Sequence, residues 1–246
     1  MKNGNQSSKT SLNYIYGRLS SLNCLSVSKV KSVYLQKNFS DEKILSMISK
    51  KGLKPNYVDL ETLNKMSNNG NHQGIIVETF PHEYCSVEEI INNPKNPQQP
   101  LVLILDEIED PQNFGAILRS ADAFGVDGVI VKNVNQVPLN WTVAKVSTGA
   151  IEYVKVAQVS NLNNLIKTLK DKGFWVYAAD GSAETSYEKV DYSGSVALIV
   201  GSEGRGISQL VMKNSDFLIK IPMTGHVNSL NVSVSTGILL SRIRNK

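Results

Sequence analysis

The sequence predicts an α/β protein in two parts: a small α/β domain, then a larger one built on a mostly parallel sheet. Three observations predict it. Short strand and helix patterns alternate between residues 30 and 80. LVLILD, at 101–106, is a continuous apolar run of the kind expected for a strand covered on both faces. Strand and helix patterns then recur at the spacing of parallel units.

In the front part, VKSVYLQ (30–36) reads as a strand and DEKILSMISKKG (41–52) as a helix. Asp41 can cap that helix and Gly52 can stop it. PNYVDL (55–60) is a second strand, Leu60 to Met66 a short helix, and GIIVETF (74–80) a third strand. INNPKNPQQP (91–100), with three prolines and three asparagines, reads as a linker. The expected domains are therefore 13–90 and 101–246, behind a disordered arm at 1–12.

Beyond LVLILD, a helix is expected over roughly 114–124, and GVIV (128–131) is the next strand. NLNNLIKTLKDKG (161–173) is a helix closed by Gly173. FWVYAAD (174–180), VALIVGSE (196–203) and FLIKIP (217–222) are further strands, and the last helix is expected to start near Ser229. Ligands of such a sheet belong at the carboxyl ends of its strands.

Composition narrows the class without naming it. Net charge is +4, with 11 Lys and Arg against 8 Asp and Glu in residues 1–91 and 15 against 14 in the remainder. That balance permits nucleic acid without demanding it. No apolar run is long enough to span a bilayer, and the N-terminus lacks the apolar stretch of a signal peptide. Cys24 and Cys85 show no metal spacing and no activating partner, and His72 and His226 stand far apart without acids at ligand spacing. A cytoplasmic protein without a metal is the expectation.

Four polar stretches fall at predicted strand ends. In DEIEDPQNFGAILRSADAFGV (106–126), Pro111 pins a turn, Asn113 is placed to cap the helix, and Gly115 lets another group approach its first turn. Arg119 follows on the helix; it is a surface arginine, or part of a phosphate grip at the helix N-terminus. GSEGRG (201–206) has glycines suited to tight turning or contact with a flat ligand, but matches neither GxGxxG nor GxxxxGK[ST]. IPMTG (221–225) and HVNSLN (226–231) precede the last helix. Ser229 can cap it, with Leu230, Val234 and Gly237 on one face. A cap does not account for Asn228, Asn231 and His226 together.

LDEIEDPQNFGAILRSADAFGV, VALIVGSEGRGIS and IPMTGHVNSLNVSVSTGILL together resemble, in order, the motifs of the SpoU (TrmH-like) family of RNA 2'-O-ribose methyltransferases. The resemblance implies a sheet with a deep trefoil knot, S-adenosylmethionine as cofactor, and a homodimer through the knotted domain and the last helix. It implies catalytic roles for Asn113, Arg119, Glu203, Ser229 and Asn231, with Asn113 and Arg119 also meeting RNA. The cofactor would meet Gly201, Glu203, Ile221, Met223, Ser229 and Leu230. In the front domain, YIYGRLSSLN (14–23) and NHQGIIVE (71–78) resemble the substrate-binding domain of part of this family, an L30e-like fold, which implies RNA contact at Arg18.

That domain favours the branch that methylates a 23S rRNA guanosine in the peptidyl-transferase region. The alternatives are a tRNA guanosine enzyme, a resistance enzyme acting on another 23S site, and a noncatalytic RNA-binding protein on the same scaffold. RNA is implied because DNA lacks a 2'-hydroxyl. A guanidinium stays protonated, so Arg119 reads as an orienter of phosphate and hydroxyl more readily than as the family's proposed base.

Overall fold

The computed structural model describes residues 13–27, 29–80 and 82–245. The arm expected at 1–12 lies outside them. The chain divides into two compact units, with the boundary between His82 and Glu83.

The first unit runs β1 (Asn13–Tyr16), α1 (Arg18–Val27), β2 (Val30–Gln36), α2 (Glu42–Lys50), β3 (Asn56–Val58), α3 (Leu60–Met66) and β4 (Ile75–Thr79). Its sheet has the order β1-β4-β2-β3, with β4 antiparallel to both neighbours and β2 parallel to β3. The strands and helices expected from residue 30 onward all form. Asp41 caps α2 by accepting from the Ile44 N–H at 3.2 Å, and Gly52 adopts the left-handed φ of +65° that ends it. Ile15, Leu25, Val33, Leu35, Ile44, Ile48, Leu63 and Val77 are buried in this unit.

The second unit runs α4 (Val87–Ile91), β5 (Leu101–Asp106), α5 (Pro111–Ala123), β6 (Gly128–Lys132), α6 (Trp141–Val146), β7 (Val156–Val159), α7 (Leu162–Asp171), β8 (Phe174–Ala179), β9 (Thr185–Ser186), β10 (Ser195–Gly201), α8 (Gln209–Asn214), β11 (Phe217–Lys220) and α9 (Val232–Arg244). Its seven strands are all parallel, in the order β7-β6-β5-β10-β8-β11-β9. Alternation along β5 divides the core. Leu101, Leu103 and Leu105 join the core that α5, α6 and α9 cover. Val102 and Ile104 join Ile90 of α4, Leu165 and Leu169 of α7 and Val211 of α8 on the other face. A sheet covered on both faces explains the unbroken apolar run that marked β5.

The linker expectation is corrected. Residues 91–100 belong to the second unit, not to a tether. The Lys95 N–H donates to Asp127 Oδ1 at 2.6 Å, and Gln99 Nε2 donates to the Tyr192 and Ile243 carbonyls at 3.0 and 3.2 Å. Ile90, placed before this segment, is buried and packs where a Cβ on Gly128 would stand. Proline and asparagine content reported the absence of regular structure, not the absence of contacts.

Candidate active site

β5 and β10 are central neighbours in register, with Gly201 opposite Asp106 at their carboxyl ends. From β5 the chain continues to one side of the sheet, through β6 and β7; β10 and β8 lie on the other side. This is the switch point at which open parallel sheets form a crevice.

The segment after β5 sets the first functional side chain. Asp110, not Asn113, is the N-cap of α5: its Oδ1 accepts from the Gln112 N–H at 2.9 Å, and Pro111 opens the helix. Asn113 therefore lies within the first turn, and its amide is free to face outward from the helix end. It is 9% exposed. Gly115 permits a close approach, as expected, and the group that approaches is α6: a Cβ there would lie 2.6 Å from Val146 Cβ and 2.9 Å from the Val143 carbonyl oxygen.

The loop after β10 supplies the second. A Cβ on Gly201 would lie 2.2 Å from the carbonyl carbon and oxygen of Gly206, so only glycine allows the loop to fold back on its own strand. The Gly206 N–H closes it onto the Ser202 carbonyl at 2.8 Å. Glu203 stands in this turn.

The third comes from the entrance to α9. The N-cap is Asn231 rather than Ser229; its Oδ1 accepts from the N–H groups of Ser233 at 2.9 Å and Val234 at 3.4 Å. The helix starts at Val232, so its buried face is Val232, Thr236, Leu239, Leu240 and Ile243. Val234 is half-exposed, and Leu230 precedes the helix, which corrects the face expected from sequence.

These segments converge. Asn231 Nδ2 donates to Asn113 Oδ1 at 2.8 Å and to Glu203 Oε1 at 2.5 Å. Asn113 Nδ2 donates to the same glutamate oxygen at 3.2 Å, and the Val232 N–H approaches it at 3.4 Å. One carboxylate oxygen thus collects two amides and a helix-terminal N–H, a set of charge-assisted bonds at the positive end of α9.

Beside this triangle is a cavity of about 660 Å³. Gly201, Glu203, Ile221, Met223, Ser229 and Leu230 all line it. Val200, Ile219 and Leu239 add apolar wall, while Asp180 and Asn228 add polar groups. Asp180, at the end of β8, was missed; the AADGS turn after a strand was the available signal.

Two candidates are not brought to the triangle. Arg119 lies farther along α5, is exposed, and makes no hydrogen bond or ion pair among the described residues. Arg18 belongs to the first unit. Its N–H donates to Gln73 Oε1 at 2.8 Å, and its guanidinium lies 5.3 Å from the Phe39 ring centre and 3.7 Å from Asp41. Asn71 and His72 help line a shallow depression with Arg18.

A charged group beneath the loops was also missed. Asp106 is buried; its Oδ2 accepts from the Ser208 N–H at 3.0 Å, while Oδ1 has no hydrogen bond and faces Lys132 Nζ at 3.6 Å. Lys132 donates to Glu107 Oε1 at 2.6 Å, and Arg205 donates to Glu107 Oε2 at 3.2 Å. The Lys132 hydrogen bond is the main cause that holds the Glu107 carboxyl below the usual carboxylate range. The same contact raises the Lys132 ammonium.

Residues 100–241 match the SpoU rRNA Methylase family, and residues 14–85 match the domain described as RNA 2'-O ribose methyltransferase substrate binding. The chain is 41% identical over 207 residues to the Bacillus subtilis (strain 168) protein named "Putative TrmH family tRNA/rRNA methyltransferase YacO", spanning 83% of this chain and 82% of that one. A crystal structure of an RNA 2'-O ribose methyltransferase superposes with a TM-score of 0.67 at 27% identity, over 94% of this chain and 86% of that one. The SpoU methyltransferase AviRb from Streptomyces viridochromogenes, solved with AdoMet, shares the fold with a TM-score of 0.70 at 19% identity, over 98% and 92% of the two chains.

Proposed function

The chain belongs to the SpoU (TrmH-like) family of RNA methyltransferases, and from that premise we propose that it methylates the ribose 2'-hydroxyl of a 23S rRNA guanosine in the peptidyl-transferase region, using S-adenosylmethionine. The observation that carries the proposal is the meeting of Asn113, Glu203 and Asn231, from three separate segments, at the edge of the 660 Å³ cavity.

The cavity suits the cofactor. Val200, Ile219, Ile221 and Leu230 offer apolar wall to an adenine, and Asn228, Ser229 and Asp180 offer partners to its ribose. The fold-back that Gly201 permits holds Ser202 and Glu203 at the cavity wall. When bound, S-adenosylmethionine supplies an electrophilic methyl group on a positively charged sulfur.

The chain's own residues then align the acceptor and handle its proton. Asn113 and Asn231 fix one oxygen of Glu203, and its other oxygen has no hydrogen bond among the described residues. That oxygen can accept from a hydroxyl and hold it in line. Ser229 shapes the ribose side of the cavity. The exposed guanidinium of Arg119, without a hydrogen bond or ion pair among the described residues, is free to hold an RNA phosphate and orient the hydroxyl with its rigid fork of donors.

The first unit matches a substrate-binding domain, which supports the rRNA branch and an RNA contact through Arg18. Its mixed four-stranded sheet suits an L30e-like fold. The last helix is tied at its far end by Arg244, which donates to the carbonyls of Gln99, Phe124 and Gly125, as a threaded C-terminal segment in a trefoil knot would be. Its half-exposed Val234 offers an apolar position to the homodimer contact proposed along that helix. No described helix is long and apolar enough to cross a membrane.

Two measurements test this. Calorimetry should show the purified chain binding S-adenosylhomocysteine. Mass mapping of rRNA from cells with and without the gene should show one 2'-O-methyl guanosine in 23S rRNA depending on it. A dependent site in tRNA would move the substrate, and absence of cofactor binding would end the reading.

A further inference from the structure

The first unit has a cavity of its own. The shallow depression beside Arg18 has a volume of about 670 Å³ and lies between the start of α1, the end of β2, α3 and the turn into β4. That turn is strained: Asn68, Asn69 and Gln73 have left-handed φ values of +51°, +60° and +52°. Side chains held in this region cluster at ligand sites. Buried His72 fastens the turn. Its Nδ1 accepts from the Gly74 N–H at 3.0 Å, so Nε2 carries the ring proton and donates to Asn64 Oδ1 at 3.0 Å.

The fastening leaves amides to spare. Asn64 Oδ1 is taken by His72, and Gln73 Oε1 by the Arg18 N–H at 2.8 Å, but Asn64 Nδ2 and Gln73 Nε2 make no hydrogen bond among the described residues. The side-chain amides of Gln36 and Asn71 make none either. All four residues line the depression, and none of its lining residues is acidic. Arg18 adds a guanidinium 5.3 Å from the Phe39 ring centre, with NH1 3.7 Å from Asp41. Tyr16 stands at the rim, its hydroxyl 2.6 Å from where a Cβ on Gly70 would lie.

A free phosphate is a poor occupant, since Asp41 already shares the one guanidinium. An apolar group would strip water from four amides and replace none of its hydrogen bonds. A nucleobase uses the whole set. Its edge carries donors and acceptors that carboxamides meet in pairs, and its face stacks on a guanidinium or an aromatic ring. A paired base has its edge and both faces occupied, so the base must be unpaired. Resting on the function proposed above, we propose that this depression takes one unpaired base of the RNA substrate. Gln36, Asn64, Asn71 and Gln73 read its edge, and Arg18 or Tyr16 covers its face. The first unit then selects RNA by a looped-out base as well as by charge.

Base removal tests this on the full chain. Adenine is the base whose N6 and N7 a carboxamide meets in a bidentate pair, so the probe is a labelled stem–loop RNA with an adenosine loop. Its control is the same stem–loop with abasic loop nucleotides, which keeps every phosphate. Fluorescence anisotropy should show wild type preferring the intact loop by about tenfold or more, since one well-read base contributes about that. Asn71→Ala removes an amide with no partner in the fold, and Gln73→Glu keeps the oxygen that accepts from the Arg18 N–H while losing the donor. Each should cut the preference several-fold, and S-adenosylhomocysteine binding should stay at the wild-type value.

Equal wild-type affinity for intact and abasic loops would overturn the inference and leave the proposed function standing. So would variants that keep the wild-type preference, or that weaken both RNAs by one factor, which would reduce this surface to backbone contacts. Failure of wild type to bind either RNA while still binding S-adenosylhomocysteine would sink the inference together with the proposed substrate, and would leave the depression to a protein partner.

Discussion

Asn231→Asp separates two jobs that one side chain performs. The Oδ1 of Asn231 caps α9, and its Nδ2 joins Asn113 and Glu203. A carboxylate caps as well as an amide, and the helix terminus favours its charge by about 0.3–1 kcal/mol. The variant, however, puts a carboxylate oxygen where the donor stood, 2.5 Å from Glu203 Oε1. Like charges about 4 Å apart cost about 4 kcal/mol at an effective dielectric of about 20. Both residues are exposed, so water and salt reduce this to about 1–2 kcal/mol. Less the dipole gain, about 1 kcal/mol remains, or about 2–4 °C in Tm for a chain of this size. Two facing carboxylates raise one pKa, so the folded variant binds a proton that the unfolded chain releases. Its deficit is therefore largest at neutral pH and fades as the pH falls toward the ordinary carboxylate value of about 4. Scanning calorimetry at pH 7.5 and 4.5 measures it. A deficit equal at both pH values, or none at pH 7.5, would show that Asn231 and Glu203 are not in contact in solution.

Three further outcomes follow from the geometry. Arg119→Lys should keep RNA and S-adenosylhomocysteine affinity yet lose most single-turnover methylation, because lysine cannot present a rigid fork; full turnover would refute the orienting role. Gly201→Ala would put a Cβ 2.2 Å from the Gly206 carbonyl group and 2.5 Å from the Ile207 nitrogen, so the loop must move. A loss of about 1–3 kcal/mol by urea titration and of S-adenosylhomocysteine affinity by calorimetry is expected, and an unchanged affinity would refute it. Burial raises the Tyr177 phenol to about 12, and its hydroxyl donates to the Asp191 carbonyl at 2.8 Å. The stability it contributes is complete below pH 10, the ordinary phenol value, and is lost as the pH rises through about 12; urea midpoints should fall across that window, and less so in Tyr177→Phe.

Most of the sheet was legible because its strands are buried on both faces and leave unbroken apolar runs. Three short elements without such a run were not. β7 (VAQV), α6 (WTVAKV) and α8 (QLVMKN) are too short to show a period, and contacts rather than propensity place them. Both misplaced caps arose where two capping residues compete. In DPQN, the proline at the first helical position selects Asp110 over Asn113. In SLN, the amide of Asn231 can cap α9 and reach Glu203 together, which the hydroxyl of Ser229 cannot. Each correction explains a residue better: an asparagine spared from capping or given a second contact is one available to the site. Lys132 and Arg205 were invisible for another reason. Their partners lie 25 and 98 residues away, and no local pattern encodes such a pairing.

Those distant partners decide how firmly Glu203 is held. Its loop leaves β10 at Gly201 and is fastened back onto the end of β5 at two further points: the Ser208 N–H on Asp106 and Arg205 on Glu107. Glu107 itself has a φ of +63°, a left-handed conformation that disfavours a glutamate. Strain of this kind persists only where surrounding bonds outweigh it, and Lys132, Asn135 and Arg205 all bind this one carboxylate. The end of β5 therefore fixes two things at once, the turn that leads to Asn113 and the loop that carries Glu203. Asn231 then bridges both. Segments from three parts of the chain behave as one body, so a change at Lys132, which lines neither cavity, should disturb the site through the position of Glu203 rather than through any contact of its own.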